Sequence, residues 1–251
     1  MKMFRIMLVI GLLANLSLVS KVSAELYGGI EFPHGIASFA DVVLSYDNMY
    51  SGGPAPTAHL DPTDALGIPQ GSSSDFFITL GRGGKIELGF VDNFLVNSGD
   101  DLADVHVFEV GSDVEDTFVA LRPTPETAAL LGDPALYDSN NDGYYEVGKV
   151  FGATSSLDID AIFTGFAANT LVFDAVQLID DPNEGGQTGT TVGADIDAVG
   201  AIGSVRACDY DILGDINGDC KVDLIDFSLL ASNWLLDCKV TPDDAGCVPI
   251  D

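Results

Sequence analysis

Residues 25–206 are built from short runs of β-branched and aromatic residues, each closed within a few positions by Gly, Asn, Asp or Pro. No stretch there sustains a long 3.6-residue apolar period. A chain punctuated this often satisfies its backbone by pairing run with run, so the expected class is all-β. The candidate strands are Ala37 to Tyr46, Asp104 to Val110, Thr117 to Arg122, Tyr144 to Phe151, Leu171 to Leu178 and Ile196 to Ile202. Asp75 to Val91 is expected to form a hairpin, with F-F-I-T-L and K-I-E-L-G-F-V joined through G-R-G-G. Pro125 to Leu131 is expected to make a short helical turn on a connection, and Asp181 to Gly193 a flexible loop. The expected architecture is an antiparallel β-sandwich, jelly-roll-like, over residues 25–206. About 180 residues suffice for one domain with its own core.

What precedes the sandwich looks like an export leader. Lys2 and Arg5 open the chain, an apolar run from Ile6 to Val19 follows, and Val22-Ser23-Ala24 places small residues where a signal peptidase reads. The run is shorter than the ~20 residues needed to span a bilayer, so residues 1–24 are expected to be cleaved rather than kept as an anchor. A secreted or cell-surface protein with no membrane span after cleavage is the expectation. The chain holds 10 Lys and Arg against 39 Asp and Glu, a formal charge of −29. Cleavage would remove three of the basic residues and no acid. Such a balance excludes nucleic-acid binding, for which a basic patch must displace counterions. It also loads the folded state with self-repulsion, which bound cations relieve.

The last 44 residues hold all four cysteines, Cys208, Cys220, Cys238 and Cys247. In an exported chain an even number in so short a segment points to two disulfides, with three possible pairings. Within this segment, Asp215, Asn217, Asp219, Asp223 and Asp226 occupy positions 1, 3, 5, 9 and 12 of a twelve-residue loop, and the Lys221 carbonyl falls at position 7. Calcium takes roughly six to eight oxygen ligands, and alternate positions of a tight loop supply them together. Two features depart from the EF-hand pattern: Cys220 stands where glycine is usual, and position 12 is the shorter Asp. A helix is expected next. Phe227, Leu230, Ala231, Trp234 and Leu235 recur at helical spacing, and that face is read as the core of a small module over residues 207–251. The stretch G-D-I-N-G-D-C-K-V-D-L-I-D-F-S-L-L-A-S-N-W-L resembles one half of a type I dockerin. The resemblance implies calcium held by Asp215, Asn217, Asp219, Asp223 and Asp226, and a cohesin-like scaffold as partner. A full dockerin has two such loops. Here one is found, and Leu224 and Ile225 sit where partner-reading polar residues are frequent.

The sandwich region also carries a resemblance. F-A-D-V-V-L-S-Y (Phe39 to Tyr46), D-A-L-G-I-P (Asp64 to Pro69), L-G-R-G-G-K-I-E-L-G-F, A-D-V-H-V-F-E-V-G (Ala103 to Gly111) and G-A-D-I-D-A-V (Gly193 to Val199) together resemble exported bacterial surface domains related to galactose-binding or discoidin-like modules. That implies a non-catalytic role in binding a polysaccharide or cell-surface ligand. Further ion sites are conceivable at Asp138-Ser139-Asn140-Asn141-Asp142-Gly143 with Glu146, and where Asp101, Asp104 and Glu109 would meet Asp195 and Asp197; Asp158 and Asp160 are a weaker case. His34, His59 and His106 are scattered, and neither G-x-S-x-G nor H-E-x-x-H occurs. Tyr46, Tyr50 and Trp234 are read as buried aromatics before sugar platforms. The expected function is calcium-stabilised binding or attachment; a small polysaccharide-degrading enzyme carried by the same tail is the alternative.

Overall fold

The computed structural model describes residues 24–71, 75–111, 114–152, 155–184 and 188–208, and in the tail 214, 216, 222, 224–232, 234 and 239. In chain order the elements are β1 (Glu25–Tyr27), β2 (Ile30–Phe32), β3 (Val42–Asp47), β4 (Ile78–Thr79), β5 (Lys85–Gly89), β6 (Asn93–Val96) and β7 (Val105–Glu109). There follow β8 (Val114–Pro123), α1 (Pro125–Leu131), β9 (Tyr145–Gly152), β10 (Ser156–Leu157), β11 (Val172–Asp180), β12 (Asp195–Ala201), β13 (Ser204–Arg206) and α2 (Leu224–Ser232). Among the described residues no helix is long and apolar enough to cross a membrane.

The strands form an antiparallel all-β sandwich, the expected class. In the larger sheet β9 pairs with β8 and β8 with β11. The other edge of β11 is shared: β5 lies against Ala175–Ile179 and β6 against Val172–Phe173. Outside these, β3 pairs with β5 and β13 with β6. The smaller sheet runs β10, β7, β12, β4. Strand alternation explains the core. Ile86 and Leu88 of β5, Val119 and Leu121 of β8, and Val176 and Leu178 of β11 meet Val105 and Val107 of β7 and Ile196 and Val199 of β12 in one buried cluster.

One expected pairing is different. Asp75 to Val91 is not a hairpin: β4 joins β12 in the smaller sheet, and β5 joins β3 and β11 in the larger. Phe77 to Leu80 is buried throughout, so it lacks the solvent face of a half-exposed hairpin arm. The G-R-G-G turn therefore carries the chain from one sheet to the other. Gly81 and Gly83 have φ of 87° and 66°, and a Cβ on Gly84 would lie 1.8 Å from the Leu80 carbonyl oxygen. Only glycine permits so tight a passage.

Two connections follow from local chemistry. The helix expected at Pro125 to Leu131 is α1. Its N-cap is Thr124, whose Oγ1 accepts from the Thr127 N–H at 3.3 Å; Pro125 fills the first turn and Gly132 ends it at φ 84°. The β1–β2 hairpin turns on Gly28-Gly29, both at positive φ, and was not expected from the sequence. It covers the outside of the smaller sheet. Phe32, Phe39 and Ala198 form a second buried cluster there, with Tyr27 and Phe108 packed against it. The Phe32 and Phe39 ring centroids are 4.7 Å apart, and Tyr27 meets Phe39 edge-on at 5.1 Å.

Candidate functional site

Of the tail loop, Asp215, Asn217, Asp219, Lys221 and Asp223 lie outside the described residues. Asp226, at loop position 12, is described and is 2% exposed. Its Oδ1 accepts from the backbone N–H of Ile216, at loop position 2, over 2.6 Å. The carboxylate at position 12 thus reaches back to the backbone of position 2. Cys208 is disulfide-bonded; the other three cysteines lie outside the described residues.

The apolar stripe of α2 differs from the expectation. Instead of forming a core, Phe227, Leu230, Ala231 and Trp234 are exposed, Trp234 at 64% and the neighbouring Leu224 at 82%. With about 100° per residue, turning Asp226 into the loop swings the 227/230/231/234 stripe to the side. Leu235 lies outside the described residues.

The acids of the sandwich do not converge as one group. Asp104 precedes β7 and Glu109 ends it, about 17 Å further along an extended strand. Because β12 runs antiparallel to β7, Asp195 is delivered to the Glu109 end, and its N–H donates to Glu109 Oε1 at 3.3 Å. Asp197 serves a different purpose: its two oxygens accept from the N–H groups of Gln70 and Gly71, at 3.0 and 2.9 Å, and hold that loop to β12. Asp101 is exposed. Among the described residues, Asp104 instead groups with Asp158 and Asp160, one oxygen of each lying within 4.8 Å of the others.

Hard oxygen donors so placed suit a divalent cation. Each, however, already organises backbone. Asp104 accepts from Ser98 N–H at 2.7 Å and Ile159 N–H at 2.9 Å. Asp160 accepts from Asn97 Nδ2 and Gly99 N–H, and Asp158 from Asp160 N–H. Burial pushes Asp104 up to about 6 and Glu109 up to about 8, while Asp180 and Asp195 rise to about 6 for the same reason.

The Asp138 phrase forms a tight polar loop before β9. Asp138 accepts from the N–H groups of Asp142 and Gly143, at 3.0 and 2.9 Å, and Asp142 Oδ1 accepts from Tyr144 N–H at 3.0 Å. Glu146 accepts from Ser139 Oγ at 2.7 Å. Asn141 takes positive φ at 59°, as Asn tolerates. Side chain-to-backbone bonds of this kind are those of a self-closed turn.

That loop leans over the outer face of the larger sheet, a surface that strand patterning alone did not single out. Register places Lys85, Ile179, Phe118 and Lys149 in one cross-strand row, and Ser45, Glu87, Gln177, Ala120 and Glu146 in the next. Gln177 is central and 2% exposed. Its Nε2 donates to Glu87 Oε1 at 3.1 Å and to Asp142 Oδ2 at 2.8 Å. Tyr144 packs on Ala120 and Ala175 in a small buried cluster. Between Phe118, Gln177 and the Asn140 loop opens a cleft of ≈ 530 Å³. At the far side of the face Tyr50 is exposed, with Lys85 Nζ 4.7 Å from its ring. Tyr46 is half-buried and donates to the Thr79 carbonyl at 2.6 Å.

The three histidines have local roles. His106 is buried, bonds Ser156 Oγ at 2.6 Å, and is pushed down to about 4 by burial. His59 stacks on Phe77 at 3.8 Å, and the His34 N–H donates to Ser38 Oγ.

Comparison with protein-family models, with curated proteins and with solved structures returns no match. The functional reading therefore rests on the chemistry of these places.

Proposed function

We propose that the chain is an exported, calcium-loaded, non-catalytic binding protein: the sandwich takes a polysaccharide or cell-surface ligand, and the tail tethers it to a cohesin-like scaffold. The observation that carries this reading is the buried carboxylate of Asp226, turned back onto Ile216 N–H across a loop whose positions 1, 3, 5 and 9 are Asp215, Asn217, Asp219 and Asp223. Calcium takes hard oxygen donors, and a position-12 carboxylate held next to position 2 of this spacing is of the kind it uses. The exposed Leu224, Phe227 and Leu230 on α2, with Trp234 just beyond it, support the tether, because large apolar side chains grouped on a surface mark interaction sites.

The alternative, a polysaccharide-degrading enzyme, needs two carboxylates at a defined spacing across a sugar. Co-sedimentation separates the two. In calcium, the full-length protein is expected to pellet with at least one of cellulose, xylan, mannan or chitin and to release no soluble sugar. Sugar release abolished by changing a single acid would replace this reading with the enzymatic one.

A further inference from the structure

We propose that the cleft on the outer face of the larger sheet is a binding site for a neutral oligosaccharide; this rests on the reading of the sandwich as the ligand-binding unit and says where and what it binds. The cleft's ≈ 530 Å³ falls within the roughly 300–1,000 Å³ of small-ligand sites. Its hollow comes from a small residue: Ala120 lies on the outer face at the centre, where a longer side chain would fill a solvent-facing sheet, and Val119 and Gly148 line it through their backbone. Phe118 stands beside the hollow, 44% exposed, with Lys149 Nζ 5.2 Å from its ring. An exposed aromatic ring offers a surface for the C–H face of a sugar.

The polar lining is set in advance. Asn140 is fixed by Asp142, and Glu146 by Ser139, so these exposed groups present their remaining hydrogen-bonding capacity without reorganising, over a floor in which Gln177 is tied to Glu87 and Asp142. Sugar hydroxyls donate and accept at once, and amide, carboxylate and hydroxyl groups on one rim answer both needs.

Charge decides between ligand classes. Lys149, the cation lining the cleft, is held by Asp116 at 2.5 Å and Asp181 at 2.7 Å. Elsewhere on the face Lys85 is paired with Glu87 at 2.6 Å and Arg122 with Asp174 at 2.7 Å. An anionic ligand finds its cations already matched and meets a chain of formal charge −29. A basic ligand finds Glu87, Asp142 and Glu146 engaged as acceptors from neighbouring side chains. What remains suits a neutral, polyhydroxylated chain.

Titration calorimetry on the full-length protein in calcium tests this, using cello-, xylo-, manno- and chito-oligosaccharides, oligogalacturonate and octalysine. At least one neutral oligosaccharide is expected to bind, with affinity falling ten-fold or more in Phe118→Ala and several-fold in Asn140→Ala. Leu26→Ala, at an exposed position on the β1–β2 hairpin over the smaller sheet, is expected to leave it unchanged. Phe118 and Asn140 are both exposed, so melting temperatures within a few degrees of wild type verify that the variants fold. The proposal is overturned if oligogalacturonate or octalysine binds in place of the neutral sugars, or if the neutral sugars bind equally well to Phe118→Ala and Asn140→Ala. No binding at all, with the tail still responding to calcium, overturns the cleft and leaves the tethering reading standing. Cleft binding intact in a protein that ignores calcium does the reverse.

Discussion

Replacing Gly200 by alanine is expected to destabilise the sandwich by about 3 kcal/mol, although it adds a single methyl group. Gly200 lies on β12 where the β1–β2 hairpin packs down. A Cβ there would sit 2.4 Å from Phe32 Cε1 and 2.9 Å from Phe39 Cε1. Both rings are fully buried, and they pack on each other at 4.7 Å, so neither can swing out into water without opening the cluster. Two effects compete. Alanine restricts the unfolded chain more than glycine does, a gain of roughly 0.5–1 kcal/mol. Overpacking costs typically 1–3 kcal/mol and more where the neighbours are rings that cannot move, so it wins. Thermal unfolding should show a loss on the order of 6–12 °C, at about 2–4 °C per kcal/mol for a chain of this size. Phe32→Leu in the same chain makes room, so the double variant should lose less than the sum of the two single changes. Strict additivity would show that the hairpin does not seat on Gly200.

The second large effect is on pH dependence. In chelator, lowering the pH from 8 to 5 is expected to raise the melting temperature. Five carboxyls are held well up in the fold by burial: Asp92 to about 7, Glu109 to about 8, and Asp104, Asp180 and Asp195 to about 6. For each, the folded state binds more protons than the unfolded state between the unfolded value near 4 and the raised value. Stability therefore increases as pH falls through that window. His106 acts in the opposite sense. Burial lowers it to about 4, so below its unfolded value of about 6.5 the unfolded state takes the proton and stability is lost. Five groups oppose His106 and His34, the latter also lowered by burial. Discounted for partial exposure, the net gain is on the order of 2 kcal/mol, or about 4–8 °C. Asp195→Asn should capture part of this gain already at pH 8, because Thr79 Oγ1 donates to Oδ1 at 2.5 Å and an amide oxygen keeps that bond. A melting temperature that falls steadily from pH 8 to pH 5 would contradict the assignment of these groups as buried and charged.

The elements read correctly from the sequence are those fixed by local pattern. Pro125 to Leu131 carries its own cap, first-turn proline and terminal glycine, so it folds as expected whatever surrounds it. Strands such as Thr117 to Arg122 and Ile196 to Ile202 alternate or run apolar in ways that only a sheet satisfies. What was missed depends on partners far away in the chain. Phe77 to Leu80 and Lys85 to Gly89 look like two arms of one hairpin, and the burial of the first on both sides is a tertiary fact. The Gly28-Gly29 hairpin did leave a signal, two glycines between L-Y and I-E-F, but at three residues per arm it is too short for periodicity to mark.

The same division holds for the sites. The spacing of Asp215 to Asp226 is local, so a sequence displays it, and of the residues it singles out only Asp226 lies among the described ones. Whether Asp104 meets Asp195 or Asp160 is set by the direction of β12 against β7, which no spacing encodes. The cleft was invisible for the same reason. Phe118, Gln177 and Glu146 come from three strands, and what brings them around one cleft is register together with the small side chain of Ala120 between them.

Calcium titration of the chelated full-length protein, followed by calorimetry and by the emission of Trp234, tests the central claim most directly. Trp234 is the single tryptophan and stands just beyond α2, so its signal reports on the tail. The account predicts saturable calcium binding with a change in Trp234 emission, and loss of both in Asp226→Ala and Asp215→Ala. No Trp234 response to calcium, or a response that survives both substitutions, would contradict it.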